Sequence, residues 1–184
     1  MNGEKEAYIC QMLLKMMETK KFFDINVTEF VNFAGISRSS FYIYFDSLYD
    51  VLDKIENEFM DGLLPVKNIS DGIKSGRGKI DSNLISKTDY ILRNKDMLRI
   101  LMGENGDPSF TAKLTNRNRK ILKESFKDSN YSEIEKRLLA EYISAGQIQA
   151  IKWWNFHEEA MDIFDVMTFI ENTAQKLINE TSSK

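Results

Sequence analysis

Apolar residues recur every three or four positions along most of the chain, and runs that alternate apolar with polar residues are scarce, which predicts an all-α protein. The first stripe, Ile9, Met12, Leu13, Met16 and Met17, predicts a helix from about Lys5 to Thr19 with one face in need of a partner. A short helix follows from Thr28 to Ala34. Asn26 or Thr28 offers its N-cap oxygen, and Gly35 closes it, because a residue free to take positive φ is favoured there. Ser37 then caps a third helix in which Phe41 and Phe45 share a face, so Arg38, Ser39, Tyr42 and Ile43 must turn largely outward. A fourth helix runs from near Ser47 past Met60 with Val51, Leu52, Ile55 and Phe59 inward, and Gly62 and Pro65 mark its end.

Residues 65–78 read as a loop. Asp81 or Ser82 caps a helix through Ile91 and Leu92, a short one spans about Asp96 to Met102, and the run from Gly103 to Pro108 is a turn. Helical spacing resumes at Phe110, Leu114, Ile121, Leu122 and Phe126. Ser132 and Glu135 fit a capping box opening a long helix that reaches Trp153 and Trp154. A last helix, about Glu159 to Asn179, repeats Ile163, Met167, Ile170 and Ala174.

Composition narrows the classes. With 184 residues, 42% of them hydrophobic, the chain folds as one ordinary domain or two small ones, and nine Gly with two Pro exclude collagen-like and linker readings. One Cys and one His exclude a zinc site built from those ligands and a disulfide framework. Without a Gly-rich phosphate loop they also leave no catalytic constellation, so no enzyme, cofactor or metal is expected. Charges throughout the first thirty residues and the lack of a long apolar run argue against a signal peptide or membrane span, which makes the cytoplasm the expected location.

A net charge of −3 does not advertise a nucleic-acid partner, and residues 1–60 hold six Lys/Arg against ten Asp/Glu. Any such function has to come from placement. Two short helices joined by a tight glycine turn, the second showing Arg, Ser and Tyr, have the dimensions of a helix-turn-helix that sets its second helix in the major groove. Arg38 can donate two hydrogen bonds to a guanine edge, Ser39 and Ser40 can reach bases or phosphates, the Tyr42 and Tyr44 hydroxyls can reach the backbone, and Ile43 can touch a thymine methyl. A helical hairpin whose tyrosines merely cover a core has the same pattern, so the residues alone leave both readings open.

The segment from Val27 to Ser47, with Ala34-Gly35-Ile36-Ser37 followed by Phe41-Tyr42-Ile43-Tyr44-Phe45, resembles the DNA-binding domain of the TetR family of bacterial regulators, and the likeness spans roughly residues 5 to 55. The resemblance implies a DNA-binding domain over 1–46 and a helical dimerisation and effector-sensing domain over 47–184. It implies that Thr28, Tyr42 and Tyr44 contact phosphates while Arg38, Ser39, Ser40 and Ile43, with Ser37 at the start of their helix, face the groove. A homodimer on a palindromic operator in double-stranded DNA follows, and most members repress. Two departures stand out: Glu4 and Glu6 replace a basic arm, and Leu48 replaces a Lys opening the fourth helix. They motivate a second reading, a protein of this fold with weak or lost DNA affinity that acts through a protein partner.

Tyr142-Ile143-Ser144-Ala145-Gly146 and Ile151-Lys152-Trp153-Trp154 resemble a C-terminal type frequent in Gram-positive members, whose last two helices pair with their copies. That implies a dimer interface at Gly146, Trp153, Ile163, Met167, Ile170 and Ala174. A close crossing would explain Gly146, with a neutral glycine inside a well-packed helix as the alternative. The family's effector lies between the middle helices, where Phe59, Leu63, Tyr90, Met97, Leu101, Met102, Phe126 and Tyr142 are the candidate lining; any bundle core uses the same residues. No carboxylate or arginine stands out among the apolar stretches, which favours a small apolar or aromatic effector that releases the repressor from DNA. Cys10 is expected to be a buried inert thiol, His157 to be exposed between the last two helices, and Lys113, Arg117, Arg119, Lys120 and Lys123 to form a solvated basic face.

Overall fold

The computed structural model describes residues 2–63, 82–126 and 129–181, and the regular structure among them is helical. The helices are α1 (Asn2–Met17), α2 (Val27–Ala34), α3 (Arg38–Tyr42), α4 (Leu48–Leu63), α5 (Ser82–Arg93), α6 (Lys95–Met102), α7 (Phe110–Ser125), α8 (Glu133–Asn155) and α9 (Ile163–Thr181), with a 3-10 turn at Phe22–Asp24. The all-α expectation is met. The loop read at 65–78 lies outside the described residues. α9 starts later than Glu159, because residues 157–160 close a turn in which the Ala160 N–H donates to the His157 carbonyl (3.0 Å). Among the described residues no helix is long and apolar enough to cross a membrane.

The chain packs as two compact units, residues 1–60 with 96–110 and residues 61–95 with 111–184. The first unit therefore extends beyond residue 46, taking in most of α4 and the α6 segment. In it α1 buries Ile9, Cys10, Leu13, Met16 and Met17. The last carbonyls of a helix have no partner within it. Here Asn105, from the turn after α6, supplies one: its Nδ2 donates to the carbonyls of Met17 (2.9 Å) and Glu18 (3.4 Å), while its own carbonyl accepts from the Phe22 N–H at 2.8 Å. Gly106 beside it admits no side chain, since a Cβ would lie 2.4 Å from the Leu101 carbonyl oxygen.

α4 buries Leu48, Val51, Leu52, Ile55, Glu56, Phe59, Met60 and Leu63 on one face. Glu56 is wholly buried, which corrects the reading that the apolar stretches hold no carboxylate. Four residues after Leu52 and three before Phe59, it lies on the inward stripe by helix geometry alone.

In the second unit α9 packs against α8 and α5. Phe126, Ala140, Ile143 and Ala174 form a core cluster flanked by Leu122, Leu139, Leu177 and Ile178. The capping box is present, with the Ser132 hydroxyl accepting from the Glu135 N–H and the Glu135 carboxylate accepting from the Ser132 N–H. Trp154 Nε1 donates to the Met161 carbonyl (2.9 Å), fastening the α8–α9 connection. The basic stretch on α7 is partly engaged rather than simply solvated: Arg117 pairs with Asp61, and Arg119 with Glu141 at 2.6 Å.

Candidate nucleic-acid interface

α2 and α3 are held by local chemistry. Asn26 caps α2, its side chain accepting from the Glu29 N–H at 3.0 Å, which leaves Thr28 in the first turn with an exposed hydroxyl. Gly35 sits at φ 65° and ends the helix; the next residue, Ile36, donates its N–H to the Val31 carbonyl (3.0 Å). Ser37 caps α3, accepting from the Ser40 N–H at 3.0 Å, and its hydroxyl also lies 2.9 Å from that of Ser39 and 2.8 Å from that of Ser40. Ser37 thus has a structural task in addition to any at a groove.

Behind this surface Phe30, Val31, Ala34, Phe41 and Phe45 are buried, Phe30 meeting Phe41 edge-on with ring centroids 5.8 Å apart. The Tyr8 hydroxyl donates to the Ala34 carbonyl (2.8 Å) and ties α1 to the end of α2. With Phe41 fixed inward, Arg38, Ser39, Tyr42 and Ile43 turn out together, Ile43 73% exposed. Ser40 and Tyr44 are half-buried at the edges of this face. Arg38 Nη1 donates to Thr28 Oγ1 at 3.3 Å, and its guanidinium carbon lies 6.0 Å from the centre of the Tyr42 ring. The two helices and the residues just after them therefore present, besides the capping Ser37, one cation, five hydroxyl-bearing side chains and one aliphatic side chain, a set able to read base edges and grip a backbone.

Cationic charge around it is thin. Arg38 is the one Lys or Arg between residues 22 and 53. Lys20 pairs with Glu29 at 2.6 Å, and Lys54 lies 2.9 Å from Glu58 and 3.4 Å from Glu6; the hydrogen bond that it donates to Glu58 foremost holds the Lys54 ammonium above its ordinary pKa. Leu48 is buried, so the family's lysine position faces the core here. Next to it stands a feature the sequence reading missed: Tyr49 is exposed and meets Phe22 and Phe23, ring centroids 5.0 and 6.3 Å away. Its position one residue after an inward Leu48 was the available signal.

The residues suggested for an effector site do not share one setting. Phe59, Leu101 and Met102 are buried and Met97 half-buried in the first unit; Leu63 and Phe126 are buried and Tyr90 half-buried in the second. The Tyr90 ring occupies the space beside Gly62, where a Cβ would lie 2.2 Å from it. Tyr142 is 70% exposed and lines an open groove of about 470 Å³ along α8 and α9 with Gly146, Phe169, Ile170 and Ala174. That position belongs to an outer surface, because Ile143 and Ala140 take the inward side of the same helix. Of the residues suggested for a dimer interface, Gly146 and Trp153 are exposed, and Ile170 and Ala174 border the groove although each is itself buried. Ile163 and Met167 are buried in the chain's own second unit, where the α9 stripe they belong to meets its neighbours.

Cys10 is buried, and burial, with Glu58 adding to it, pushes its thiol up to about 11. A thiol so protonated is a poor nucleophile. His157 is exposed and stacks on Trp153, centroids 4.7 Å apart, with Nδ1 2.8 Å from the Trp153 carbonyl oxygen.

Residues 79–176 match the TetR family model described as the transcriptional regulator C-terminal region, which is more than half of the chain. The chain belongs to the TetR family. A TetR-type relative, the HTH-type transcriptional regulator EthR of Mycolicibacterium smegmatis, is 45% identical over 49 residues, a match that covers 27% of this chain and 23% of that protein's length. Two solved structures share the TetR fold at low identity. The dihydroxyacetone kinase operon activator DhaS has a TM-score of 0.66 at 17% identity over 95% of this chain and 96% of its own. A TetR transcriptional regulator from Streptococcus agalactiae has 0.69 at 16% over 94% of each. The family and these relatives are transcriptional regulators, and the helix-turn-helix built by α2 and α3 agrees with that.

Proposed function

We propose that this TetR protein is a cytoplasmic homodimer that recognises a palindromic operator through α2 and α3, represses by occupying it, and leaves it when a small-molecule effector binds. The observation that carries the reading is the exposed face of Arg38, Ser39, Tyr42 and Ile43 set on two capped helices over an aromatic core. A dimer would place two such faces about one duplex turn apart, roughly 34 Å, which calls for an inverted repeat.

Support for the dimer comes from α8. It buries Ala140, Ile143, Ile148 and Ile151, yet also exposes Ile134, Leu138, Tyr142 and Trp153, while α9 exposes Phe169 beside the same groove. A helix apolar on two sides has two partners to cover. Gly146 fits this reading, because a Cβ there would meet nothing within 4 Å in its own chain and the backbone is open to close approach. Effector release is a population shift toward dimers whose recognition helices are wrongly spaced for the duplex.

Selection of genomic fragments by the purified protein at two salt concentrations, beside Arg38→Ala and Tyr42→Ala, tests the reading. Recovery of one palindromic site, weakened in both variants, supports it, and transcription from that site in the presence and absence of the protein gives the sign of regulation. The partner-protein reading draws on the acidic excess over residues 1–60 and the inward Leu48. Loss of all fragments even at low salt from a folded dimer would favour it, since phosphate neutralisation dominates non-specific affinity.

A further inference from the structure

We infer that Thr28 and Tyr42 position Arg38 for a guanine in each operator half-site, so that Thr28 governs base selectivity instead of serving only as a phosphate contact. The inference rests on the DNA-binding reading of α2 and α3 and adds to it which base is read and which residues prepare the reader. Two side chains converge on one guanidinium, and a cap fixes the backbone that carries it. Asn26 takes over the α2 cap, so the Thr28 hydroxyl is not needed there and accepts from Arg38 Nη1 at 3.3 Å. Tyr42, one helical turn after Arg38, brings its ring centre to 6.0 Å from the guanidinium carbon, at the outer reach of a cation–π contact. Ser37 caps α3 and fixes the backbone from which Arg38 leaves.

The consequence is chemical. An unsupported arginine on a surface must be ordered when it meets a base, and each side chain so ordered weakens binding. One already held on one nitrogen by a hydroxyl and on its face by a ring keeps further N–H donors free in a planar fork, the geometry that matches guanine O6 and N7. Because Arg38 is the one Lys or Arg between residues 22 and 53, recognition of a guanine by a cationic fork on these two helices depends on it. A hydroxyl that touched only phosphate would instead add affinity uniformly, whatever the sequence.

The test measures binding of the full-length protein to its selected operator and to every single-base-pair change in each half-site, for the wild type, Arg38→Ala, Thr28→Val, Thr28→Ser and Tyr42→Leu. The wild type is expected to prefer G at one position by about ten- to a hundredfold, and Arg38→Ala to erase that preference. Thr28→Val should reduce the preference at that same position by about three- to tenfold and leave the others unchanged, with Thr28→Ser restoring it. Tyr42→Leu should lower it together with overall affinity. Thr28 is exposed and Asn26 holds the cap, so the valine variant keeps the fold. A wild type that selects a site while Thr28→Val weakens every sequence equally, or none, overturns the positioning alone. A wild type that selects no sequence overturns the DNA-binding reading and this inference with it.

Discussion

α3 and α8 both carry side chains that face away from their own chain, and they do so for different reasons. α3 is five residues, Arg38–Tyr42, bounded by the Ser37 cap and preceded by Gly35 in the left-handed region. Its outward face follows from Phe41 being inward, and the signals that fix it lie within a few positions of one another. α8 is 23 residues long with apolar side chains on two sides, Ile143 and Ile148 on one, Leu138 and Tyr142 on the other. Nothing local says which side turns in. That choice is made by what α9 and the end of α7 bring against it, Ala174 and Phe126 among them. A short helix can be read from its punctuation, whereas a long two-sided one needs its neighbours.

The sharpest way to break the comparison is to place the same charge on the two sides of α8. Ile148→Asp puts a carboxylate at a buried site and should cost about 4 kcal/mol or more, seen as loss of the cooperative thermal transition. Tyr142→Asp should leave stability measured on the isolated chain within about 0.5 kcal/mol while shifting sedimentation from dimer to monomer. Equal destabilisation by both would mean that α8 has one apolar face. On α3, Arg38→Ala should cost about 2–6 kcal/mol of operator binding across two half-sites, by titration, with the melting temperature unchanged. A fall in melting temperature would make Arg38 part of the fold.

Smaller effects separate cap from groove. Ser37→Ala should lower stability by about 1 kcal/mol in urea unfolding through loss of the α3 cap. Gly146→Ala should raise the stability of the isolated chain by up to about 1 kcal/mol, because its Cβ meets open space, and weaken self-association in the same preparation. A further effect appears only at high pH. The Cys10 thiol, raised from 9.0 to about 11 on folding, binds its proton more tightly in the folded state than in the unfolded one. Stability should therefore fall as pH rises from about 9 through 11, and Cys10→Ala should remove that part of the decline in unfolding midpoints.

Individual residues show how far the sequence could be followed. The choice between Asn26 and Thr28 as cap stayed open because both carry suitable oxygens two positions apart, and only the backbone at Asn26, with φ −111° and ψ 157°, puts its side chain over the first turn. At Glu56 charge points to solvent, whereas the spacing from Leu52 and Phe59 places the residue inside, and the structure follows the spacing. Residue type places Tyr142 with the buried aromatics, whereas it is 70% exposed. In each case type and period left two opposite orientations available.

The sequence by itself determined the all-α class, the α2–α3 hairpin with its stops at Gly35 and Ser37, the outward set Arg38, Ser39, Tyr42 and Ile43, and the likeness that named the family. These rest on interactions within one or two helical turns, where spacing and capping chemistry are enough. Tertiary structure alone decided that Thr28 meets Arg38, that Asn105 closes the end of α1, and which side of α8 is buried. Those pairings join residues brought together only when apolar faces compete for burial, and that competition is settled by the whole of each packed unit rather than by any segment of it.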